Sequence, residues 1–318
     1  MFATSRRLAA ALFACAGLAA AGLFANAAPP APATGHKPTV WLIGDSTVRN
    51  GSFDNGATAG QWGWGHLLHY YFDPSKVNVV NDAMGGTSSK SYQDSPTLWP
   101  LVLPKIQPGD YVLMQFGHND GPASLKGNGD DTAEDTGRGA QPGALKHSFG
   151  WYMRQYIEQI KAKGATPIVC SLIPRNRWGN DDKVMRNTND YALWAKQAAE
   201  QDHALFIPLN DLIADKYDQL GRDKVEKVLF NVDNSGRAEG THPNWKGATL
   251  NAQCVVEGIK QLDCPLKNDL LADPKVPDQP DITTSEHGEL GPDEKGATAK
   301  WESGAARRAA ATSQPGRP

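Results

Sequence analysis

Four segments of the chain contain residue types that fit one reaction, the attack of a hydroxyl group on an ester carbonyl. Ser46 supplies a hydroxyl, and His242 could accept its proton while the carboxylate of Glu239 holds the imidazole ring. Gly86 offers a backbone N–H that a substrate can approach closely, and Asn119 offers a side-chain amide. Because the oxyanion formed in such an attack needs several hydrogen-bond donors, the set predicts nucleophilic acyl chemistry.

Five apolar runs must position these residues. Between residues 39 and 264, short apolar runs alternate with helical patterns. This alternation is typical of strand–helix–strand units and predicts an α/β fold, with a mainly parallel sheet covered by helices on both faces. Each run is continuously apolar, as expected when both faces of a strand are buried. The predicted strands are Thr39–Ile43, Val77–Val80, Tyr111–Phe116, Pro167–Ser171 and Ala204–Ile207.

Two amphipathic helices are predicted to cover the sheet. One lies between Ser148, placed to cap it, and Gly164, placed to end it, and the other begins after His242-Pro243. Their apolar residues are Phe149, Met153, Tyr156, Ile157 and Ile160 in the first and Ala248, Ala252, Val255, Val256, Ile259 and Leu262 in the second. The segment Gly121–Lys146 has no regular pattern, and we expect it to form a wall of a binding groove.

The candidate residues follow the strands in a consistent order. Ser46, Gly86 and Asn119 come after the first, second and third predicted strands, and His242 precedes the last helix. The carboxyl ends of parallel strands meet at one edge of the sheet, where such sheets bind ligands. Taken singly, each segment has an ordinary interpretation, because Gly-Asp-Ser triplets and glycine pairs mark many turns and a lone histidine is usually structural. Their common edge favours a catalytic site.

The amino terminus predicts export. Two arginines precede the apolar run Leu8–Phe24, and a small-residue site suits signal-peptidase cleavage after Ala27. A retained membrane anchor and a lipoprotein cut before Cys15 are the alternatives, but the run is short for a bilayer span and continues past the cysteine. We therefore expect residues 1–27 to be a signal peptide and the mature protein to be secreted or periplasmic, without a membrane span.

The composition of the chain indicates its domain boundaries and which partners to expect. We expect a short linker at residues 28–37, one domain at residues 38–264, and a tail at residues 265–318 whose Pro, Gly and charged residues predict disorder. The 32 basic and 35 acidic residues are mixed along the chain and leave a net charge of -3. No basic surface for nucleic acid is therefore expected.

Three cysteines remain after the predicted cleavage. Cys254 and Cys264 could form a disulfide at the end of the last helix in an oxidising compartment, which would leave Cys170 as a small buried residue of a strand. No spacing of cysteine and histidine resembles a structural zinc site.

The same segments resemble a known superfamily. Gly44-Asp45-Ser46, the Gly86 segment, Gly117-His118-Asn119-Asp120 and the His242 segment are similar to the four signature blocks of the SGNH (GDSL-like) hydrolases. Within it, the chain resembles the rhamnogalacturonan acetylesterases from about Pro38 to Cys264. The motifs of this finer resemblance are Gly44-Asp45-Ser46-Thr47-Val48, Gly63-Trp64-Gly65, Asn81-Asp82-Ala83, Phe116-Gly117-His118-Asn119-Asp120, Phe149-Gly150-Trp151-Tyr152, and Thr241-His242-Pro243-Asn244 with Gly247-Ala248.

The resemblance implies a three-layer α/β/α flavodoxin-like fold without a metal or cofactor. It implies a serine esterase that removes acetyl groups from pectic rhamnogalacturonan through an acetyl-Ser46 intermediate, with His242 as general base and acid. The N–H groups of Ser46 and Gly86 and the side chain of Asn119 would form the oxyanion hole. The residues supporting this site would be Asp45, His118 and Asp120.

One position departs from the family pattern. The family usually has aspartate three residues before the catalytic histidine, where this chain has Glu239. Glutamate is one methylene longer but can orient an imidazole in the same way, so we expect a triad of Ser46, His242 and Glu239. The competing interpretations are orientation by Asp233 or by a backbone carbonyl, and a reduced activity.

Aromatic and basic residues near the motifs are candidates for binding a sugar. Trp64 could stack on a sugar ring, although tryptophan is more often part of a core. Arg175 and Arg177, after the fourth predicted strand, could bind the carboxylates of galacturonate or form a solvated surface pair.

Two other functions compete with a pectin acetylesterase. An esterase for another acetylated polysaccharide, or for a lipid or aryl ester, would use the same scaffold, and a long apolar acyl channel would favour the lipid esterase. A catalytically weak glycan-binding protein would bind the polymer without releasing acetate.

Overall fold

The structure is a computed structural model that describes residues 35–51, 60–137, 140–186, 189–232 and 236–279. The strands in chain order are β1 (Thr39–Gly44), β2 (Asn78–Asn81), β3 (Tyr111–Gln115), β4 (Thr132–Glu134), β5 (Leu145–His147), β6 (Thr166–Cys170), β7 (Leu205–Ile207), β8 (Phe230–Val232) and β9 (Ala238–Pro243). The helices are α1 (Ser89–Asp94), α2 (Trp99–Val102), α3 (Asp120–Ala123), α4 (Phe149–Ala162), α5 (Tyr191–Gln201), α6 (Leu209–Leu220), α7 (Arg222–Lys224) and α8 (Trp245–Gln261). Shorter turns of 3₁₀-helix lie at Trp64–Tyr71, Leu103–Lys105 and Pro265–Asp269, and a π-helical turn lies at Val225–Leu229.

A five-stranded sheet forms the centre of the fold. Its order is β2–β1–β3–β6–β7, and all four neighbouring pairs are parallel. The five predicted strands and the parallel sheet are therefore confirmed. Because the strands are parallel, the loops that follow β1, β2, β3 and β6 all leave the sheet at one edge.

Both faces of the sheet are buried, in two separate cores. On β1, Val40 and Leu42 pack in the first core, and Trp41 and Ile43 pack in the second, because successive strand side chains point to opposite faces. The first core also contains the helix Trp64–Tyr71 and helices α6 and α8, and the second contains α1, α2, α4 and α5. This arrangement confirms the three-layer α/β/α architecture.

The two helices predicted from sequence are present as α4 and α8. Ser148 Oγ accepts the N–H of Trp151 at 3.1 Å where α4 begins, and Asn244 Oδ1 accepts the N–H of Gly247 at 3.1 Å where α8 begins. Gly164, beyond the end of α4, has a φ of 72°, a conformation that glycine adopts without strain. All the apolar residues predicted to face the sheet are buried.

Two small antiparallel sheets lie outside the main sheet. The pair β4 and β5 lies almost entirely within the segment 121–146, where the sequence predicts no regular structure, and only His147 lies beyond it. Each of these strands has three residues, none of them buried, so each is too short for a periodic signal. The second pair is β8 and β9, in which Phe230 is paired with Pro243.

The ordered domain continues past the boundary predicted at residue 264. Leu266 is fully buried, the N–H of Leu271 donates to the carbonyl of Tyr71 at 2.8 Å, and Trp245 Nε1 donates to the carbonyl of Pro277 at 2.8 Å. The expectation of disorder is thus wrong for residues 265–279, because an apolar side chain and several backbone groups find partners on the domain. The remainder of the predicted tail, the signal peptide and residues 28–34 of the predicted linker lie outside the described residues.

The predicted disulfide is absent. Among the described residues, Cys170, Cys254 and Cys264 are buried free thiols. Cys254 lies inside α8 with its Sγ 3.8 Å from the carbonyl oxygen of Leu212, whereas Cys264 lies beyond the end of α8. In the same part of the chain, no helix is both long enough and apolar enough to span a membrane.

Candidate active site

Ser46 lies in the turn that follows β1, at the carboxyl edge of the sheet. From residue 39 to residue 51 every residue is buried except Ser46, which is partly exposed. The N–H groups of Val48 and Arg49 close the turn by donating to the carbonyl of Asp45 at 3.1 and 3.0 Å. The turn therefore presents a single hydroxyl to the surface from an otherwise buried segment.

The segment Gly63-Trp64-Gly65 holds this turn from behind. Its three N–H groups donate in order to the carbonyls of Arg49 at 3.2 Å, Thr47 at 3.0 Å and Val48 at 3.1 Å. A Cβ atom on Gly63 would lie 2.3 Å from the carbonyl carbon of Val48, and one on Gly65 would lie 2.4 Å from its carbonyl oxygen. Glycine is therefore required at both positions for the two backbones to approach so closely.

Trp64 is fully buried beneath the turn, so the prediction that it stacks on a sugar ring is wrong. Its Nε1–H donates to Oε1 of Gln115 at 2.8 Å, and Gln115 Nε2 donates to Oγ1 of Thr47 at 2.5 Å. The Thr47 hydroxyl donates in turn to Oδ1 of Asp45 at 2.8 Å. The indole is buried because its one polar atom has a buried acceptor, and the resulting chain of hydrogen bonds holds the residues on both sides of Ser46.

His242, on β9, faces the serine. Its Nε2 lies 2.8 Å from Oγ of Ser46, and its Nδ1 lies 3.3 Å from Oε1 of Glu239. Oε2 of Glu239 accepts the N–H of Thr241 at 2.6 Å and also the backbone N–H of His242. Burial raises the pKa of Glu239, but these hydrogen bonds outweigh it and hold the pKa below its usual value. An ionised carboxylate therefore lies beside Nδ1; the competing candidate, Asp233, lies outside the described residues.

Gly86 and Asn119 lie in the loops that follow β2 and β3. Gly86 has a φ of 80°, and a Cβ atom there would meet no atom within 4 Å. Asn119 Nδ2 donates to the carbonyl of Thr87 at 3.0 Å, which uses one of its two N–H groups. Among the described residues, the backbone N–H groups of Ser46 and Gly86 have no acceptor within the protein. These groups can donate to an oxyanion without first breaking a bond to the protein.

Asp120, the residue that follows Asn119 in the chain, is fully buried. Its carboxylate accepts the N–H of Ser89 at 3.1 Å and the hydroxyl of Ser89 at 2.5 Å. Burial raises the pKa of Asp120 to about 7, although the hydrogen bonds from Ser89 lower it, and the carboxylate of Asp45 raises it further. Because Ser89 is the first residue of α1, Asp120 ties the loop that follows β3 to the start of that helix.

The ring of His118 is buried among the charged groups of the site. Neither of its nitrogens has a hydrogen-bond partner in the described part of the chain. Burial lowers the pKa of His118 to about 4; the charge of Asp45 opposes this shift, and Arg175 adds to it. The imidazole is therefore neutral at neutral pH.

Arg175 and Arg177 lie in the loop after β6, but only one of them points away from the protein. Arg175 Nη1 donates to Oγ1 of Thr241, and Nη2 donates to the carbonyl of His118 at 3.2 Å. The prediction that Arg175 binds substrate therefore needs correction, because its guanidinium is engaged within the protein. Arg177 is exposed, and no described residue pairs with its side chain.

Asn176, between the two arginines, is a residue that the motifs do not indicate. Its Nδ2 donates to the carbonyl of Glu239 at 3.2 Å, and its backbone N–H donates to the carbonyl of Gly240 at 3.0 Å. Its place in the same loop as Arg175 is the one signal for it in the sequence.

A shallow pocket opens beside His118, between the carboxyl ends of β3 and β6. Its lining is mostly polar and includes Leu172, Arg175, Met185, Asn189, Tyr191 and Asn210. The described residues contain no group of three or more His, Cys, Asp and Glu side chains placed to hold a metal ion. The groups at this sheet edge are thus a hydroxyl with an adjacent base, several N–H donors and a polar pocket.

The chain is similar to one protein family and to several named proteins. The profile of the GDSL-like lipase/acylhydrolase family matches residues 42–250. A probable rhamnogalacturonan acetylesterase of Bacillus subtilis strain 168, YesY, is 29% identical over 232 residues, which cover 73% of this chain and 97% of that protein. The rhamnogalacturonan acetylesterase of Emericella nidulans is 27% identical over 229 residues, which cover 70% of this chain and 84% of that protein.

A solved structure agrees with these matches. The crystal structure of protein YxiM from Bacillus subtilis superposes with a TM-score of 0.56 and 25% sequence identity. The superposition covers 71% of this chain and 57% of the YxiM chain. The resemblance to the SGNH (GDSL-like) hydrolases that the motifs indicate is thereby confirmed.

Proposed function

The chain belongs to the GDSL-like lipase/acylhydrolase family and is a carboxylic ester hydrolase, and from that premise we propose that it is a serine acetylesterase with Ser46 as its nucleophile. The observation that carries the proposal is the 2.8 Å contact between Oγ of Ser46 and Nε2 of His242, at a partly exposed position. This distance is within hydrogen-bond reach, which a general base requires. Glu239 is the proposed third member of the triad.

The proposed mechanism has two half-reactions. His242 Nε2 takes the proton of Ser46 as Oγ attacks the acetyl carbonyl, and the N–H groups of Ser46 and Gly86 and the amide of Asn119 stabilise the oxyanion. The carbon–oxygen bond to the sugar then breaks, and the sugar oxygen leaves with the proton from His242. Water repeats the sequence against acetyl-Ser46, with His242 again as base and then acid, and acetate departs.

The proposed substrate is an acetylated pectic polysaccharide, rhamnogalacturonan. The names of the relatives YesY and the Emericella nidulans esterase support this choice. A second support is charge: Arg177 is exposed and close enough to Arg175, which lines the pocket, for the two charges to interact, so its guanidinium is available to a sugar carboxylate. An esterase for another acetylated polysaccharide remains the next candidate, because the same nucleophile would act on any accessible acetyl ester.

The proposed place of action is outside the cytoplasm. The support is the leader predicted at residues 1–27, which precedes the described residues. Cell fractionation with amino-terminal sequencing tests this: we expect a chain that begins near Ala28 outside the cytoplasm, and protein with an intact Met1 that is confined to the cytoplasm would contradict it.

Acetate release by purified protein tests the function. Acetylated rhamnogalacturonan, acetylated xylan and a long-chain acyl ester are compared, with Ser46→Ala as the control. We expect release from rhamnogalacturonan, and a loss of at least about 10³-fold in the variant with an unchanged melting temperature. Release of acid from xylan alone, or from the long-chain ester alone, would mean that the proposed substrate is wrong, while the Ser46 mechanism would stand. Turnover by Ser46→Ala would overturn the mechanism, and polymer binding without any release would indicate a glycan-binding protein.

A further inference from the structure

The two halves of the proposed site lie on different sheets. Ser46 and Asn119 follow strands of the five-stranded sheet, whereas His242 and Glu239 lie on β9, whose one partner strand among the described residues is β8. Proton transfer between Ser46 and His242 needs their side chains at a fixed distance, and a displacement of 1 Å can cost about 100-fold in rate. Contacts that hold β9 against the main sheet are therefore required.

Arg175 makes two such contacts at once. It follows β6 of the main sheet, and one guanidinium nitrogen donates to Thr241 Oγ1 while the other donates to the carbonyl of His118 at 3.2 Å. Thr241 immediately precedes His242, and His118 immediately precedes Asn119. One planar cation is therefore bonded to the neighbours of both the proposed base and the proposed oxyanion donor.

Asn176 continues the connection along β9. Its side-chain amide donates to the carbonyl of Glu239, and its backbone N–H donates to the carbonyl of Gly240. Its Oδ1 is itself held by the indole N–H of Trp178 at 2.8 Å. The dipeptide Arg175-Asn176 thus contacts residues 239, 240 and 241 in succession.

The surroundings of Arg175 favour an internal role. The side chain is half buried, which lowers its pKa together with the charge of Arg177, while Asp45 and Glu239 raise it. Because an arginine retains its proton under these conditions, it places a permanent positive charge close enough to Asp45 and Glu239 to interact with both carboxylates. Arg177 differs in being exposed and without a partner among the described residues.

We propose that Arg175, assisted by Asn176, is a positioning residue that holds His242 and Asn119 in register with Ser46. This inference rests on the proposed serine mechanism, in which His242 and Asn119 act on the same acetyl group. It assigns to Arg175 an effect on turnover rather than on recognition of a sugar carboxylate.

Hydrolysis of 4-nitrophenyl acetate tests the inference, because this small ester has no carboxylate for an arginine to bind. We expect Arg175→Gln to lower kcat by about 30- to 100-fold with a change in KM below about threefold. Arg175→Lys should retain more activity, since an ammonium group can reach one of the two acceptors. The matched control is Arg222→Gln, an exposed arginine of α7 paired with Glu226, and it should behave as the wild type.

A double-mutant cycle with Thr241→Val provides a second readout. Valine keeps the shape of threonine and removes the acceptor of the Arg175 contact, so Thr241→Val should lower kcat and the double variant should be no slower than Arg175→Gln alone. If Arg175→Gln fails to fold, as judged by circular dichroism, the cycle is run with Arg175→Lys.

An unchanged kcat in Arg175→Gln, a KM increase confined to the polymer, or additive losses in the cycle would overturn the inference. Ser46→Ala separates this failure from that of the proposed function. If Ser46→Ala is inactive while Arg175→Gln turns over normally, the serine mechanism stands and the positioning role does not.

Discussion

The carboxylate of Glu239 contacts His242 at two points. Oε1 lies 3.3 Å from Nδ1 of the ring, and Oε2 accepts the backbone N–H of the same residue. The second contact fixes the carboxylate relative to the chain, and the first then directs Nε2 toward Ser46. A glutamate can therefore contact the ring in spite of its long side chain, because the backbone N–H groups of Thr241 and His242 anchor its carboxylate.

Replacement of Glu239 tests this arrangement. Glu239→Gln keeps the length of the side chain but loses the negative charge, so kcat should fall by about 10²- to 10⁴-fold. Glu239→Asp keeps the charge and draws it back from Nδ1, so a smaller loss of about tenfold is expected. Steady-state kinetics on a small acetyl ester measure both. Normal turnover by Glu239→Gln would assign the orienting role to Asp233 or a backbone carbonyl, and Asp233→Asn would then distinguish these two.

The replacement of Gly86 tests the role of its backbone N–H in the proposed oxyanion hole. Its φ of 80° is costly for any residue with a Cβ atom, although the space around it is open. Gly86→Ala should therefore rotate the backbone, misdirect the N–H and lower kcat by about 10²-fold. The control is Gly221→Ala, at a glycine with a φ of 79° and equally open surroundings at the end of α6. Gly86→Ala should lose about 1 kcal/mol of stability, and Gly221→Ala should lose at least as much, because its ψ of 153° places it in a region that only glycine readily adopts. An equal kcat in both variants would contradict an oxyanion role for Gly86.

We expect a replacement of Trp64 to affect the turn that holds Ser46 and not the binding of a sugar. Trp64→Phe removes the donor to Gln115 and leaves a buried acceptor without a partner, which should cost about 1–3 kcal/mol in the free energy of unfolding. We expect kcat to fall and KM for the polymer to remain within about twofold, as measured by urea unfolding and acetate release. A higher KM without a loss of stability would instead restore the sugar-stacking interpretation. Trp151→Phe, at a partly exposed position on α4, controls for the loss of an indole.

The buried His66 should make the stability of the fold decrease in acid. Burial, followed by the charge of His69, lowers the pKa of His66 to about 4 from its ordinary 6.5. Below pH 6.5 the unfolded chain binds a proton that the folded chain does not, so stability should fall between pH 6.5 and pH 4 and level off below that. The loss from this residue is at most about 3 kcal/mol.

His66→Phe tests the effect, because phenylalanine keeps a ring beside Trp62 and Trp245 and cannot titrate. The difference in unfolding free energy between the variant and the wild type, measured in urea, should shift in favour of the variant by about 2 kcal/mol from pH 7 to pH 4.5. The same difference at both pH values would show that His66 does not titrate in this way.

Local patterns were enough to predict the sheet and the placement of the main site residues. Continuous apolar runs indicate strands buried on both faces, and parallel strands bring their carboxyl ends to one edge whatever lies between them. Ser46, Gly86, Asn119 and His242 were therefore expected together from their order; the first three lie in turns or loops after β1, β2 and β3, and His242, on β9, lies 2.8 Å from Ser46. The caps of α4 and α8 were equally predictable, since a cap depends on residues three positions apart.

The partners of individual side chains were decided by the tertiary structure. Trp64 is buried because it meets Gln115, 51 residues away, and Arg175 points inward because it meets Thr241, 66 residues away. A tryptophan or an arginine has the same local pattern whether it faces a groove or the interior, so its sequence neighbours do not distinguish the two. The contacts of residues 265–279 with the domain and the separation of Cys254 from Cys264 have the same origin, because both depend on which distant surface lies next to the chain after folding.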